Sequence, residues 1–228
     1  TSEQGAQFPG CKWTNWDSGL HTALMARWPG RVSPGKRTAA MVQYTDIAVT
    51  LMELAGVDPK KYADTLDGTS FAAVLTGSAQ THRKYAYGVH NNIPEGPAYP
   101  IRTVTDGTWR YIRNLKPEAI YIERHLMGYD GIHKLRNQYW PTWVSQASDN
   151  EHTYNLVKRY MRRPPEQLYN TNDDPFELNN LADDPQYTEI KNELSAVLDR
   201  WMAQQGDPGA AMDTSEAHQA AQQLKHLY

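Results

Sequence analysis

Two short β-forming runs, residues 101–105 (Ile-Arg-Thr-Val-Thr) and 109–113 (Trp-Arg-Tyr-Ile-Arg), flank Asp106-Gly107. An Asp-Gly pair in that setting is a strong hairpin signal, because glycine takes the positive φ that a tight turn requires. The middle of the chain is thereby committed to antiparallel pairing, and its neighbours can extend and cover the pair. Residues 84–90 read as one further strand, and Gln167-Leu168-Tyr169-Asn170 as another. Ile190, Leu194, Val197, Leu198, Trp201 and Met202 recur at helical spacing and predict a helix from about Pro185 to Met202.

The texture before residue 84 is different. Thr45 as N-cap and Asp46 in the first turn start a predicted helix whose apolar stripe is Ile47, Leu51 and Leu54, with Gly56 as its stop. Asp67-Gly68-Thr69-Ser70 opens a shorter helix ending near Gly77, and the apolar run from Leu20 to Trp28 reads as a buried strand stopped by Pro29-Gly30. Residues 116–165 are aromatic and irregular and support no assignment, and the stretch after Gly206 reads as a loosely ordered polar tail. The chain is therefore predicted to be α/β, divided into a core-like segment (1–83), an antiparallel-sheet subdomain with its terminal helix (84–205) and a tail (206–228).

Composition removes several function classes. The 228 residues carry a net charge of -3, which gives no basic footprint for nucleic acid. The mean hydropathy is -0.73, and no apolar run approaches the roughly 20 residues that span a bilayer. Cys11 is the single cysteine, so neither a disulfide framework within the chain nor a cysteine zinc cluster is available. No H-E-x-x-H, G-x-S-x-G, P-loop or G-x-G-x-x-G occurs. Fourteen Tyr and seven Trp against three Phe favour polar-handled aromatics, which suit both half-wet sugar clefts and cores.

A few residues can carry chemistry. Thr1-Ser2-Glu3-Gln4-Gly5 reads as the polar end of a strand whose apolar body lies upstream, which predicts the C-terminal part of a longer chain. Glu3 and Gln4 offer adjacent side-chain oxygens suited to a hard cation, or equally to a solvated loop. Lys12, between Gly10-Cys11 and Trp13, offers an ammonium to an anion, or is an ordinary surface lysine. His90 ends a strand before a Pro/Gly-rich loop and can face a ligand, whereas His21 sits in an apolar run and suits a core. Cys11 has no histidine at catalytic spacing and reads as structural.

The order of several segments is more specific than any of them. Residues 1–5, Lys12-Trp13-Thr14-Asn15-Trp16-Asp17-Ser18-Gly19, Arg27-Trp28-Pro29-Gly30, Tyr44-Thr45-Asp46-Ile47, Asp67-Gly68-Thr69-Ser70-Phe71 and Leu168-Tyr169-Asn170 with Asp174-Pro175-Phe176-Glu177 follow one another. Together they resemble the second half of the formylglycine-dependent (type I) sulfatases over residues 1 to about 203. Gly88-Val89-His90-Asn91 followed by Tyr99-Pro100-Ile101-Arg102 is most similar to the heparan N-sulfatase (sulfamidase) branch.

The resemblance implies the alkaline-phosphatase-like sulfatase fold and hydrolysis of sulfate esters or sulfamates of glycosaminoglycan-type sugars. It places Glu3 and Gln4 where the family has calcium-liganding Asp followed by Asn or His, each here one methylene longer. It places Lys12 on the substrate sulfate, and His90, Asn91 and Arg102 towards the sugar, with Trp13, Trp16 and Tyr99 as stacking surfaces. The family's nucleophile is a formylglycine made from C/S-x-P-x-R; Cys11 is followed by Lys-Trp-Thr, so an N-terminal half is the expected partner and this chain alone is expected to be inactive. The branch's habit is periplasmic, extracellular or lysosomal. Two alternatives stay open: a non-catalytic module binding sulfated glycans, and a phosphate- or phosphonate-ester hydrolase, which is disfavoured by the lack of a matching His cluster.

Overall fold

The computed structural model describes residues 1–94, 96–127 and 139–224. It divides into two compact units, one formed by Thr1 and Ala23–Ala86 and the other by Ser2–Thr22 and Tyr87–Tyr228. The first twenty-odd residues therefore belong with the sheet-bearing unit and not with the segment that follows them in sequence.

In the sheet-bearing unit, strands β1 (Ala86–His90), β2 (Ile101–Thr105), β3 (Trp109–Asn114) and β4 (Glu166–Asn170) lie in that spatial order. The hairpin forms as the Asp-Gly signal predicts, with β2 and β3 antiparallel and Val104 opposite Tyr111. Gly107 takes φ +94°, and the Asp106 carboxylate accepts from the Thr108 and Trp109 amides at 2.9 and 2.7 Å. β4 pairs antiparallel with β3, Tyr111 facing Leu168.

Helix α1 (Asp17–Leu20) follows the N-terminal loop, and the stretch without a sequence assignment supplies α4 (Arg124–Met127), α5 (Tyr139–Gln146) and α6 (Glu151–Met161); its residues 128–138 lie outside the described residues. The terminal helix α7 (Thr188–Gln204) is entered through a 3-10 turn at Pro185–Tyr187. It covers the sheet: Trp201 stacks on Tyr87 at 4.6 Å, and Arg113 of β3 donates to Asp199 and Ser195 at 2.5 and 2.8 Å. The tail is more structured than its polarity suggests, with a 3-10 turn at Gly209–Met212 and a helix, α8 (Ser215–Leu224). Buried Asp213 accounts for this, because its carboxylate caps the amides of Asn92 and Tyr99 at 2.8 and 2.6 Å.

The core of this unit is a set of aromatic rings: Trp16, Tyr99, Tyr121, Trp140, Tyr160 and Tyr169, filled in by Ile101, Ile112 and Leu126. The Arg163 guanidinium lies within 3.9 Å of the Tyr121 ring centre and 4.6 Å of that of Trp16, so a buried cation takes part of its solvation from π faces.

In the other unit, α2 (Tyr44–Leu54) starts with a capping box between Gln43 and Asp46, so Gln43, and not Thr45, is the N-cap. Asp46 is fully buried and accepts from the Gln43 and Thr69 amides, Arg83 Nε and His82 Nε2. Burial raises its carboxyl, but the Arg83 guanidinium and the two amides outweigh burial and hold it below the usual range. The short helix α3 (Ala72–Thr76) ends at left-handed Gly77 as expected. The run 20–28 does not form the expected buried strand: residues 21–28 adopt no regular secondary structure, and Met25 is 87% exposed. Apolar content makes a buried strand only when a covering layer also takes the side chains out of water, and Leu24, Met25 and Trp28 remain exposed.

Candidate functional site

The N-terminal loop closes on itself through its backbone. Lys12 N donates to Ala6 O at 3.1 Å and Cys11 N to Phe8 O at 3.0 Å, while the Thr14 and Ser18 hydroxyls donate to Cys11 O and Gly10 O at 2.6 and 2.7 Å. Two glycines are sterically required. A Cβ on Gly5, at φ +58°, would sit 2.6 Å from Lys12 N, and one on Gly19 would sit 2.4 Å from Cys11 O.

This folding brings two of the candidate residues together. Lys12 Nζ lies 3.3 Å from the Glu3 carboxylate, with the two side chains 27% and 67% exposed, and 5.7 Å from the Trp13 ring centre. Gln4 is half-buried. Glu3 and Gln4 have the oxygen chemistry for a hard cation, but calcium takes six to eight oxygens. Among the described residues no group of three or more His, Cys, Asp or Glu converges. The pair fits as two donors of a larger set and not as a complete site.

The other candidates turn inward to different degrees. His90 is half-buried at the end of β1, its Nε2 3.5 Å from the Tyr121 hydroxyl. Asn91 accepts from Arg102 Nη1 at 2.9 Å. Arg102 is completely buried. Its Nε and Nη2 both donate to the Asp207 carboxylate, the second at 3.0 Å, and the same hydrogen bonds hold the Asp207 carboxyl below its usual range despite burial. The expectation that Arg102 faces a sugar is corrected: its donors are spent on tying the tail to β2. The same holds for two of the three stacking candidates. Trp16 and Tyr99 are 2% and 0% exposed in the aromatic core, Trp16 Nε1 donating to Gln167 at 3.0 Å. Trp13 is half-buried on the loop, and its ring stacks on His125 at 5.2 Å with 9° between planes.

Three groups with no local sequence signal hold the loop. Tyr121 donates its hydroxyl to Trp13 O at 2.5 Å. Glu177, buried at φ +52°, accepts from the Asp17 amide at 2.6 Å at the start of α1. Arg110 bridges the two acids, donating to Asp17 at 2.5 Å and lying 2.9 Å from Glu177 Oε1 in ion-pair contact without hydrogen-bond alignment. Burial pushes the Glu177 carboxyl up, to about 7, against the pull of Arg110 and of the Asp17 amide.

The arrangement is thus an exposed ammonium–carboxylate corner on a glycine-closed loop, backed by an aromatic core and an antiparallel sheet, and solved structures share its fold. A Bacteroides thetaiotaomicron sulfatase structure described under metabolism of multiple glycosaminoglycans superposes with a TM-score of 0.53 at 22% identity, covering 86% of this chain and 32% of that one. A second solved structure, of a protein in complex with its substrate D-glucosamine-2-N,6-O-disulfate, gives 0.51 at 19% identity over 80% of this chain and 28% of that one. The architecture is that of the alkaline-phosphatase-like sulfatases.

The family model for the N-sulphoglucosamine sulphohydrolase C-terminal region matches residues 11–125. An ulvan-active sulfatase of Formosa agariphila is 34% identical over 198 residues, 86% of this chain and 36% of the relative. Human N-sulphoglucosamine sulphohydrolase is 22% identical over 214 residues, 91% of this chain and 41% of that protein. The chain belongs to the sulfatase family and corresponds to its C-terminal part. It spans little more than a third of the length of these two relatives.

Proposed function

We propose that this chain is the substrate-recognising C-terminal part of a sulfatase that hydrolyses sulfate esters or sulfamates of sugars, including glycosaminoglycan-type glycans. The observation that carries the reading is the Lys12–Glu3 corner, where a cation and a carboxylate are held at 3.3 Å on an exposed, sterically defined loop. A sulfate group must accept an oxygen nucleophile while itself negative, so the chemistry depends on positive charge at its oxygens. Lys12 supplies a fixed cation for them. Glu3 and Gln4 supply two oxygen donors to a calcium ion, whose chemistry when bound is to neutralise and orient the sulfate oxygens. His90 and Trp13 border the sugar. The formylglycine nucleophile and the remaining calcium ligands come from an N-terminal half of the same enzyme.

The test is sulfate release by the full-length protein from N-sulfated and O-sulfated glucosamine, with phosphate and phosphonate esters as comparators. Release of sulfate from at least one sugar, lost on calcium chelation, is the expected result. No release from any sulfated sugar, or faster turnover of a phosphate or phosphonate ester, would overturn the reading.

A further inference from the structure

Trp13 is one of two described non-glycine residues with positive φ, at +66°. A bulky aromatic residue in the left-handed region costs energy and persists only where the surroundings impose it. What imposes it is visible. The Tyr121 hydroxyl reaches 108 residues back along the chain to donate to Trp13 O at 2.5 Å, and the indole is stacked on His125. His125 is itself placed by buried Glu123, whose carboxylate accepts from the His125 and Leu126 amides at 3.0 and 2.9 Å at the start of α4.

Tyr121 has no freedom to give this up. It is fully buried, with the Arg163 guanidinium 3.9 Å from its ring centre and the rings of Tyr99 and Tyr160 edge-on at 5.2 and 5.4 Å. Burial drives its phenol far above the ordinary value, so it remains a protonated donor at every working pH. The same oxygen lies 3.5 Å from His90 Nε2. One hydroxyl therefore touches the backbone of the Lys12–Trp13 corner and the imidazole of the strand-end histidine.

We infer that Tyr121 is a positioning residue for the sulfate site: its hydrogen bond holds Trp13 in the left-handed conformation and thereby sets where Lys12 presents its ammonium and where His90 presents its ring. This deepens the proposed function and rests on Lys12 acting at the sulfate. The link is mechanical: the Trp13 carbonyl lies in the Trp13–Thr14 peptide plane, the Trp13 φ and ψ set the angle between that plane and the Lys12–Trp13 plane, and a change in either swings the lysine side chain. Displacements of about 1 Å in a positioned group cost up to about 100-fold in rate.

The experiment uses the full-length enzyme with five variants, measuring kcat, KM and Tm on a sulfated glucosamine. Tyr121→Phe removes only the hydroxyl. Tyr111→Phe is the matched control, since Tyr111 is equally buried and donates to Glu166 at 2.5 Å within the sheet, away from the loop. The expected result is a similar small Tm loss in both, with kcat lowered about 10- to 100-fold in Tyr121→Phe alone and KM changed less. Trp13→Gly, which accepts positive φ without help, is the second variant at the corner. Adding Tyr121→Phe to it is expected to lower kcat by less than 3-fold further, a coupling that general destabilisation would not produce. Lys12→Ala separates the two claims. If it cripples turnover while Tyr121→Phe behaves like Tyr111→Phe, the positioning role is wrong and the sulfate site stands; if Lys12→Ala turns over normally, both fall.

Discussion

Two of the molecule's cation–carboxylate pairs look equivalent in sequence and are opposite in exposure. Lys12 and Glu3 meet at 3.3 Å with both side chains partly in water; Arg102 and Asp207 meet in a bidentate grip with the guanidinium wholly buried and the carboxylate 7% exposed. An exposed pair contributes roughly 0–1 kcal/mol to stability and can exchange its partner for a ligand. A buried pair cannot be opened cheaply, because either member left alone is an unsolvated charge. Burial, and not residue type, decides which pair is available for chemistry. In the proposed function the lysine corner serves as the site, while the arginine grip is a fastener.

The largest effect expected from breaking this comparison lies at the fastener. Arg102→Ala should destabilise the protein by about 3–5 kcal/mol, read as a lowered denaturation midpoint. It should also blunt the acid limb, since the Asp207 carboxyl, held low by Arg102, contributes stability above its unfolded value that is lost as pH falls through the folded one. A midpoint unchanged in Arg102→Ala would place the tail's anchorage elsewhere.

A second buried acid gives an effect of opposite sign. Burial pushes the folded Glu177 carboxyl up to about 7 against 4.5 for the ordinary group, so the folded state holds the proton more tightly. Its contribution is greatest below pH 4.5 and declines as pH rises through 7, by up to about 3 kcal/mol from a shift of that size. Denaturant midpoints of Glu177→Gln should lose this decline between about pH 4.5 and 7; an identical slope in variant and wild type would show the carboxyl to be ordinary. The smallest effect belongs to the exposed corner. Glu3→Gln should change stability by less than about 1 kcal/mol, yet raise the calcium concentration needed for half-maximal turnover of the full-length enzyme. An unchanged calcium requirement would remove Glu3 from the ligand set.

What could be read from the sequence follows the range of the interactions involved. The hairpin was legible because Asp106-Gly107 carries its geometry locally, and α7 because an apolar stripe repeats within one helix. The Lys12 loop was legible only as a motif running from Lys12 to Gly19; its closure at Gly5 and Gly19 is set by backbone contacts that the fold makes. Tyr121, Glu177 and Asp213 were not, because each is defined by partners distant in the chain: Trp13, Asp17, and Asn92 with Tyr99. Arg102, Trp16 and Tyr99 were misplaced for a related reason. A guanidinium or a polar-handled ring serves a wet cleft or a satisfied core equally well, and only the fold says which. The run 20–28 shows the converse, since apolar character alone neither buried it nor made it a strand.

The most direct test of the account is a paired measurement of Tm and kcat/KM on Lys12→Ala in the full-length enzyme with a sulfated glucosamine. The expected result is kcat/KM lowered about 100-fold or more, as for loss of one oxyanion donor, with Tm shifted by no more than about 2 °C, as for loss of an exposed pair. Wild-type turnover, or a Tm loss large enough to account for the missing activity, would contradict it.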